Sequence, residues 1–394
     1  MPSKKANQPA RVQSGVPWAE RLGYFESHQD TLLQTIREFV EIESPSDSKP
    51  ATDRVGALLA QKFAALGGRP QLHRAEEYGD NLQVDFPGVA GTKPVLLLGH
   101  FDTVYPLGTL SKMPFRVDNG RLHGPGVLDM KAGIALMFAA IEAWQTWQGQ
   151  LPRPVTVFLV SDEEVGSYSS RKITESLARK SAAVLVLEPA AGRGAVKTAR
   201  KGVGEYTLSV KGIASHAGLD PGKGHSAICE LARQVGVISK LNDLKSGVSV
   251  NPGVIRGGTR TNVVAAEAVA EIDVRIKRAK QAAGLDRKLR ALKPFDKHCK
   301  VSMEGGINRL PMERNAGVVA LYRKAQAVAR QIDWKLEEAA VGGGSDGNFT
   351  AGIGIPTLDG LGAVGDGAHA VHEHIVISEL PRRALLLAGL IESA

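Results

Sequence analysis

Cysteine is scarce in this sequence, which contains only Cys229 and Cys299 among its 394 residues. At most one disulfide is possible, so a disulfide-stabilised scaffold is excluded and a reducing compartment is expected. No apolar run approaches the roughly 18 residues of a membrane-spanning helix. The first stretch, MPSKKANQPARVQSGVPWAERLG, is polar and basic and lacks the apolar segment of a signal peptide. We therefore expect a cytoplasmic protein with no membrane partner.

Aromatic residues are also few, at 5%, whereas the sequence contains 44 glycines. This composition is typical of α/β enzymes with tight strand-to-helix loops. The net charge is +8, but lysine and arginine are spread along the chain. Their denser stretches, Arg275 to Lys280 and Arg287 to Lys300, indicate solvated helix or strand faces. The charge thus predicts no nucleic-acid partner and fits an anionic small substrate as well.

The order of the predicted elements indicates two domains. Apolar runs such as PVLLLG, VTVFLVS and AVLVL alternate with helical patterns, which predicts a mostly parallel sheet flanked by helices, an α/β fold. From Lys201 the order becomes β-α-β-β-α-β, which predicts an inserted ferredoxin-like α+β domain. The predicted boundaries are 1–20 for a disordered tail, 21–200 with 309–394 for the α/β domain, and 201–308 for the insertion.

Polar side chains follow several of the predicted strands. His100 and Asp102 come after PVLLLG, Glu163 and Glu164 after VTVFLVS, and Glu188 after AVLVL. Ligands of open α/β sheets bind at the carboxyl ends of the strands. We therefore expect these side chains to converge. Asp129, in the glycine-rich stretch GPGVLDMKAG before a helix, is expected to join them.

Imidazole and carboxylate groups without thiolates suit Zn²⁺, Mn²⁺ or Co²⁺. Five ligands, one of them a bridging carboxylate, can hold two ions, which together activate a water and polarise a carbonyl. That chemistry also requires a base that is not a ligand. Glu163 and Glu164 can divide these tasks, because neighbouring side chains on extended backbone point in opposite directions.

Each of these residues alone has a simpler interpretation. A histidine after a strand is more often a surface or core residue, the DEE run is typical of a solvated loop, and Asp129 is a plausible helix N-cap. Glu188 alone predicts almost nothing. Their joint occurrence favours the metal site, since unpaired carboxylates at the ends of buried strands are unfavourable without a cation.

Seven motifs occur in order along the chain: GHFDTVYP, GPGVLDMKAG, SDEEVGS, LEP, VKGIASHAG, GGGSDGN and GAHAVHE. From about Leu32 to Ile391, the sequence resembles the zinc-dependent aminoacylase and carboxypeptidase family. That family includes glutamate carboxypeptidase, succinyl-diaminopimelate desuccinylase and acetylornithine deacetylase. The glutamate carboxypeptidase branch is the most similar, through HFDTVYP, PFRV and SHAG.

The resemblance implies two divalent ions per chain, Zn²⁺ with Mn²⁺ or Co²⁺ as alternatives. It implies that Asp102 orients His100 and that Glu163 is the general base. His369 is preferred over His372 and His374 because a glutamate, Glu373, lies four residues on. Relatives have a cis peptide bond after the aspartate that bridges the two ions, and they often carry a second acidic residue at the next position. In this chain the aspartate is Asp129, and Met130 follows it. The implied ligands are His100, Asp129 and Glu188 for one ion, and Asp129, Glu164 and His369 for the other.

The resemblance also implies that the insertion is a dimerisation or lid domain of a homodimer. His216 resembles a histidine that reaches a substrate carbonyl across the dimer interface, although a surface-turn histidine has the same pattern. Arg275 is a candidate carboxylate anchor, or equally an ion-pair partner of Asp273 or Glu271 on its strand. The further candidate substrate-binding residues are Asn262, Arg309, Gly343 and Ser345.

Two hydrolase activities remain open from the sequence. The first is a carboxypeptidase or dipeptidase that cuts an amide next to a free carboxylate in a small peptide. The second is a deacylase that acts on an N-acyl amino acid. A binding protein that kept the fold but lost catalysis would lack Glu163 or a ligand, and all of these are present. The scattered positive charge disfavours a nucleic-acid-binding module.

Overall fold

The structure is a computed structural model, and it describes residues 15–394. The chain divides into two compact units. The first unit comprises the described residues up to Thr198 together with Arg314–Ala340 and Ser345–Ala394. The second unit comprises Ala199–Glu313 and Val341–Gly344. The chain passes between the units at four points, and two of these lie within the strands Val196–Arg200 and Glu338–Val341.

A mostly parallel sheet forms the centre of the first unit, which confirms the predicted fold class. The strand Val95–His100 runs parallel to both of its neighbours, Val155–Val160 and Ala183–Val186. Every residue of these strands is buried, as expected for strands covered on both faces. The sheet order is Arg69–His73, Asn81–Phe86, Val155–Val160, Val95–His100, Ala183–Val186 and Thr357–Leu358.

Helices of the first unit share one apolar core with this sheet. The indole N–H of Trp144 donates to the carbonyl of Ala388 at 3.0 Å, which joins two largely buried helices. Within residues 15–394, no helix has the length and apolarity that crossing a membrane requires. The helices are Trp18–Ser27, Gln29–Val40, Lys49–Ala65, Ala132–Gln148, Arg171–Lys180, Ala316–Arg330, Gly347–Gly352 and Leu380–Ser393.

The predicted disordered tail requires a correction at its end. Residues 1–14 lie outside the described residues, but a helix begins at Trp18, inside the segment 1–20. The guanidinium of Arg21 lies 4.3 Å from the centroid of the Trp18 ring and pairs with Glu392 at 2.9 Å. The ion pair fixes this helix to the last helix of the chain, and it joins residues 371 positions apart, too far for a local pattern to reveal.

A short sheet in the first unit carries the C-terminal histidine-rich segment. The strand His374–Val376 pairs antiparallel with Arg121–His123. This pairing fixes the backbone directly after Glu373. The strand order is Gly365–Asp366, His374–Val376, Arg121–His123 and Arg116–Asp118.

The second unit has the β-α-β-β-α-β order that the sequence predicted. Its sheet is antiparallel, and Glu267–Ile276 pairs with Ser249–Gly257 and with Gly202–Lys211. Alternate residues of Glu267–Ile276 are buried, because one face of the sheet packs against the core and the other does not. The role of this unit in dimerisation stays a prediction. Its remaining elements are the strand Lys300–Arg309 and the helices Ala227–Ser239 and Ala282–Arg290.

Candidate metal centre

Acidic and histidine side chains meet at the carboxyl edge of the parallel sheet, as the sequence predicted. His100 is the last residue of its strand. Glu163 and Glu164 lie in a 3₁₀ turn just after the next strand, and Glu188 follows the third. Asp129 lies directly before the helix that returns to the sheet.

The carboxylate of Asp129 lies between two histidines. Its Oδ1 is 3.1 Å from Nε2 of His100, and its Oδ2 is 3.4 Å from Nε2 of His369. A glutamate accompanies each imidazole: Oε1 of Glu188 lies 3.6 Å from Nε2 of His100, and Oε1 of Glu164 lies 3.1 Å from Nε2 of His369. The five side chains thus form the two groups that the resemblance implied, with Asp129 common to both.

The charges of this cluster fit divalent cations. Burial raises the pKa of Asp129, but hydrogen bonds from His100 and His369 outweigh this effect and hold the pKa well below its usual range. Hydrogen bonds to Asp129 and Glu164 raise the pKa of His369 to about 10. Burial raises the pKa of Glu164. The carboxylates therefore favour positive charge at this place, which divalent ions would supply.

The spacing of the donor atoms supports the same conclusion. Donor atoms of His100, Asp129 and Glu164 lie within 4.8 Å of one another, and so do those of His100, Glu163 and Glu188. Imidazole nitrogen with carboxylate oxygen is a donor set for Zn²⁺, Mn²⁺ or Co²⁺. These side chains thus form candidate sites for divalent cations, and the carboxylate of Glu163 lies within the same range.

Asp102 connects the first histidine to the glutamate pair. Its side chain is fully buried, and its carbonyl oxygen lies 3.0 Å from Nδ1 of His100. Its carboxylate accepts the backbone N–H of Glu163 at 3.3 Å, that of Glu164 at 3.2 Å, and the hydroxyl of Ser46 at 2.7 Å. The contact to His100 was predicted for the carboxylate, whose Oδ1 lies farther away at 3.5 Å. The carboxylate is thus within ion-pair distance of His100 and also holds the turn that carries Glu163 and Glu164. Its role in orienting His100 stays a prediction.

The peptide bond between Asp129 and Met130 is cis. The cis peptide bond that relatives have is thus present in this chain, although a methionine follows the aspartate. The side chain of Met130 is fully buried, and its sulfur accepts the backbone N–H of His100 at 3.3 Å. Met130 therefore contacts the strand end that presents His100.

Glu373 has a structural role that the sequence did not reveal. Its carboxylate is fully buried and accepts the backbone N–H groups of Gly126 at 3.0 Å, Leu128 at 2.7 Å and Asp129 at 3.0 Å. Burial raises its pKa, and hydrogen bonds from Tyr105 and these amides oppose that rise. The only sequence signal was its spacing from His369, which indicated nothing about the Asp129 loop.

His369 reaches the cluster from a left-handed backbone conformation, with φ of 63°. This conformation is uncommon for residues other than glycine and often occurs at functional sites. His374 instead lies in a strand, with its ring 5.3 Å from that of His123. The geometry is consistent with the preference for His369.

The comparison with protein families agrees with this geometry. Residues 96–393 match the peptidase family M20/M25/M40. The chain belongs to this family.

Relatives of this M20/M25/M40 chain include two kinds of amide hydrolase. It is 29% identical to carboxypeptidase G2 from Pseudomonas sp. (strain RS-16), over 92% of this chain and 89% of the relative. It is 26% identical to a succinyl-diaminopimelate desuccinylase from Acidovorax ebreus, over 85% and 84% of the two chains. The chain is thus a metal-dependent hydrolase of peptide or amide bonds.

The fold is also similar to that of solved structures. The crystal structure of the aminopeptidase PepT from Bacillus cereus matches with a TM-score of 0.76 and 23% sequence identity. The match covers 92% of this chain and 98% of that one. At this identity the likeness supports the fold alone.

Two of the predicted substrate-site residues of this M20/M25/M40 chain lie side by side in the second unit. His216 and Asn262 are both exposed. The backbone N–H of Ala217 donates to the carbonyl of Asn262 at 3.0 Å, and His216 forms a β-bridge with Val263. Nδ1 of His216 accepts the backbone N–H groups of Gly218 and Leu219, both at 3.1 Å.

Arg275 has a local partner. Its guanidinium pairs with Asp273 through two N–H groups, at 2.9 and 2.8 Å. This arrangement matches the ion-pair alternative that the sequence left open. Its role as a carboxylate anchor stays a prediction.

Of the other candidate substrate residues, Arg309 and Gly343 lie in the second unit and Ser345 lies in the first. Arg309 is buried at the end of its strand, and the carbonyl of Gly343 accepts a hydrogen bond from Arg200 at 3.3 Å. Ser345 is fully buried, and its hydroxyl donates to Asp359 at 2.6 Å. Their roles in substrate binding stay predictions.

Proposed function

We propose that the chain is a carboxypeptidase or dipeptidase of the glutamate carboxypeptidase type, which releases a C-terminal amino acid. The observation that carries this proposal is the Asp129 carboxylate, whose two oxygens each face a different histidine. We further propose Zn²⁺ as the native ion, because the nitrogen and carboxylate donors suit it. The ligands would be His100, Asp129, Glu164, Glu188 and His369.

Bound divalent ions would supply polarisation of the scissile carbonyl and a nucleophilic water near neutral pH. Glu163 is proposed to take a proton from the attacking water and to pass it to the nitrogen of the leaving amine. The new carbon–oxygen bond then replaces the carbon–nitrogen bond, and no covalent enzyme intermediate is required. The hydrogen bond from the Glu163 N–H to Asp102 supports a fixed position for this base.

His216 is proposed as a donor to the oxygen of the scissile carbonyl, contributed by a second copy of the chain in a homodimer. Its Nδ1 accepts two backbone N–H groups, so the proton of the neutral ring resides on Nε2. That N–H can donate to the negative charge that develops on the oxygen. This tautomer supports donation to the carbonyl oxygen, since a neutral ring with its proton on Nδ1 has no donor at Nε2.

A free carboxylate next to the cut amide is the proposed recognition feature. The similarity to carboxypeptidase G2 over 92% of the chain supports this choice. The desuccinylase relatives favour the second activity, removal of an acyl group from an N-acyl amino acid. Both activities use the same bond chemistry, so substrate selection decides between them.

The test is a release assay on the purified chain loaded with Zn²⁺, Mn²⁺ or Co²⁺. The panel contains amides of C-terminal glutamate, the same amides with the terminal carboxylate blocked, dipeptides, and acetyl and succinyl amino acids. We expect release of C-terminal glutamate and a rate at least 100-fold lower on the blocked amides. Turnover only of succinyl or acetyl amino acids would overturn the carboxypeptidase proposal in favour of a deacylase. Glu163→Gln, assayed in parallel, controls for contaminating hydrolases.

A further inference from the structure

A second group of metal-binding side chains lies in the second unit. Nδ1 of His225 is 2.7 Å from Oδ2 of Asp296, and the rings of His225 and His298 lie 4.1 Å apart. One donor atom from each of the three residues lies within 4.8 Å of the others. We propose that His225, Asp296 and His298 bind one divalent transition-metal ion, such as Zn²⁺, in addition to the ions of the first unit.

The loop that carries Asp296 and His298 is held in place by buried polar groups. Glu230, which is 2% exposed, accepts the backbone N–H of Phe295 at 3.0 Å and that of Asp296 at 3.0 Å. Gln234, also buried, donates to the carbonyl of Lys293 at 2.8 Å. The helix Ala227–Ser239 therefore holds the backbone of this loop up to Asp296, which reduces the ordering that an ion would have to impose there.

The third donor is fixed by a different contact. His225 and Ile213 form a β-bridge in which each backbone N–H donates to the other carbonyl, both at 2.9 Å. His225 also lies two residues before the helix Ala227–Ser239, whose Glu230 holds the opposite loop. The backbone of His225 and that of the Asp296 loop are thus both held close to the start of this helix.

The chemistry of the group favours a borderline cation. Two imidazoles and one carboxylate suit Zn²⁺, Co²⁺, Ni²⁺ or Cu²⁺, with water in the remaining positions. An ion between His225 and Asp296 would replace their hydrogen bond. Lys297 is exposed, and salt screens its repulsion of the ion.

The bound ion would cross-link two loops. One is the loop of Asp296 and His298, and the other is the segment from Ile213 to His225, which carries His216 and is closed at its base by the β-bridge. The ion would therefore reduce the freedom of both segments at once. The proposal for this site does not depend on the catalytic role of His216.

Metal stoichiometry tests the proposal directly. The full-length chain is stripped with a chelator and dialysed against a series of free Zn²⁺ concentrations, and bound zinc is measured by mass spectrometry. We expect His298→Ala and Asp296→Asn to bind one equivalent less than the wild type at micromolar free Zn²⁺. In His28→Ala, which removes an exposed histidine of the first unit, the wild-type number should remain.

Asp296→Asn also separates metal binding from a purely structural contact, because the amide oxygen can still accept a hydrogen bond from His225. Equal zinc binding by the wild type and both variants would overturn the proposal. Hydrogen exchange locates the site independently. Added Zn²⁺ should slow exchange in 213–225 and 292–299 of the wild type at least twofold more than in His298→Ala. An identical response in the two proteins would also overturn it.

Discussion

The buried carboxylate of Glu373 accepts the backbone N–H of Asp129 at 3.0 Å, across 244 positions of the chain. The same carboxylate accepts two more amides of the loop that precedes Asp129. Asp129 is the residue whose two oxygens face His100 and His369. Glu373 therefore positions the carboxylate that faces both histidines, although it approaches neither histidine in the contacts described above.

Glu373→Gln should weaken metal binding about tenfold or more and lower the free energy of unfolding by about 1–3 kcal/mol. Glutamine replaces one acceptor oxygen with an NH₂ donor, which would face a backbone N–H that has lost its partner. Metal competition assays and thermal unfolding measure the two effects. Glu76→Gln, at an exposed position, is the control and should change neither. A Glu373→Gln protein with wild-type metal affinity would contradict the positioning role.

Glu163 and Glu164 should respond in opposite ways to the same substitution. Glu163→Gln should keep the wild-type metal content and lower kcat about 10²–10⁴-fold, because the substitution removes the proposed general base. Glu164→Gln should lose metal, because Glu164 is the carboxylate beside His369. Metal analysis and a rate assay on both proteins test the pair. A nearly full rate for Glu163→Gln would exclude it as the base.

Asp102→Asn should lower kcat about 10–100-fold. The carboxylate accepts hydrogen bonds from two backbone amides and from Ser46, and asparagine offers only one oxygen to these donors. The displaced turn carries both Glu163 and Glu164. Ser46→Ala removes one donor and leaves the carboxylate intact, so its rate should fall less. If the two variants had equal rates, the link from Asp102 to the turn would lose its support.

Asp80 should contribute to stability in a pH-dependent way. Burial raises its pKa, but hydrogen bonds from Lys49 at 2.6 Å and from the Ala75 N–H at 3.2 Å outweigh this effect and lower it. A folded-state pKa below the unfolded value means that the stabilisation is present above about pH 4 and is lost as pH falls further. The difference in unfolding free energy between wild type and Asp80→Asn should therefore shrink from pH 7 to pH 3.

Denaturant unfolding at several pH values measures this difference. Both proteins contain the same metal centre, so its own pH dependence cancels in the comparison. Glu77→Gln, at an exposed site, is the matched control for loss of a surface carboxylate. A constant difference for Asp80→Asn would contradict the assigned cause.

Two helical glycines should respond oppositely to alanine. A Cβ on Gly133 would lie 2.2 Å from the carbonyl oxygen of Leu187, the residue before Glu188. Gly133→Ala should therefore cost about 1–3 kcal/mol of stability and weaken metal binding. A Cβ on Gly236 meets nothing within 4 Å, so Gly236→Ala should stabilise its helix by about 0.5–1 kcal/mol. Calorimetry on both variants tests the opposite signs.

The convergence of His100, Glu163 and Glu188 was predictable because each follows an apolar run. Such runs are strands of a covered parallel sheet, and the carboxyl ends of parallel strands meet at one edge. The pairing of each imidazole with its glutamate was implied only by the family resemblance. Nothing in the spacing of these residues distinguishes the two sides of the centre.

The partners of Arg275 and Glu373 could not be predicted from the sequence, because tertiary structure determines them. Alternation along the strand places Glu271 and Asp273 on the same face as Arg275, so the sequence allowed either partner. In the structure, Arg256 of the neighbouring strand pairs with Glu271 at 2.5 Å. Arg275 pairs with the other carboxylate, that of Asp273. The contact from Glu373 to the Asp129 loop could not be predicted for a similar reason, since no local pattern indicates the approach of a distant carboxylate.

The shared Asp129 carboxylate has a thermodynamic consequence. An ion bound beside His100 would draw electron density from the carboxylate and hold its orientation, which changes the affinity of the position beside His369. Linkage requires the reverse effect to have the same magnitude. The two positions would therefore fill as a coupled system with two macroscopic affinities, and neither affinity would belong to one histidine alone.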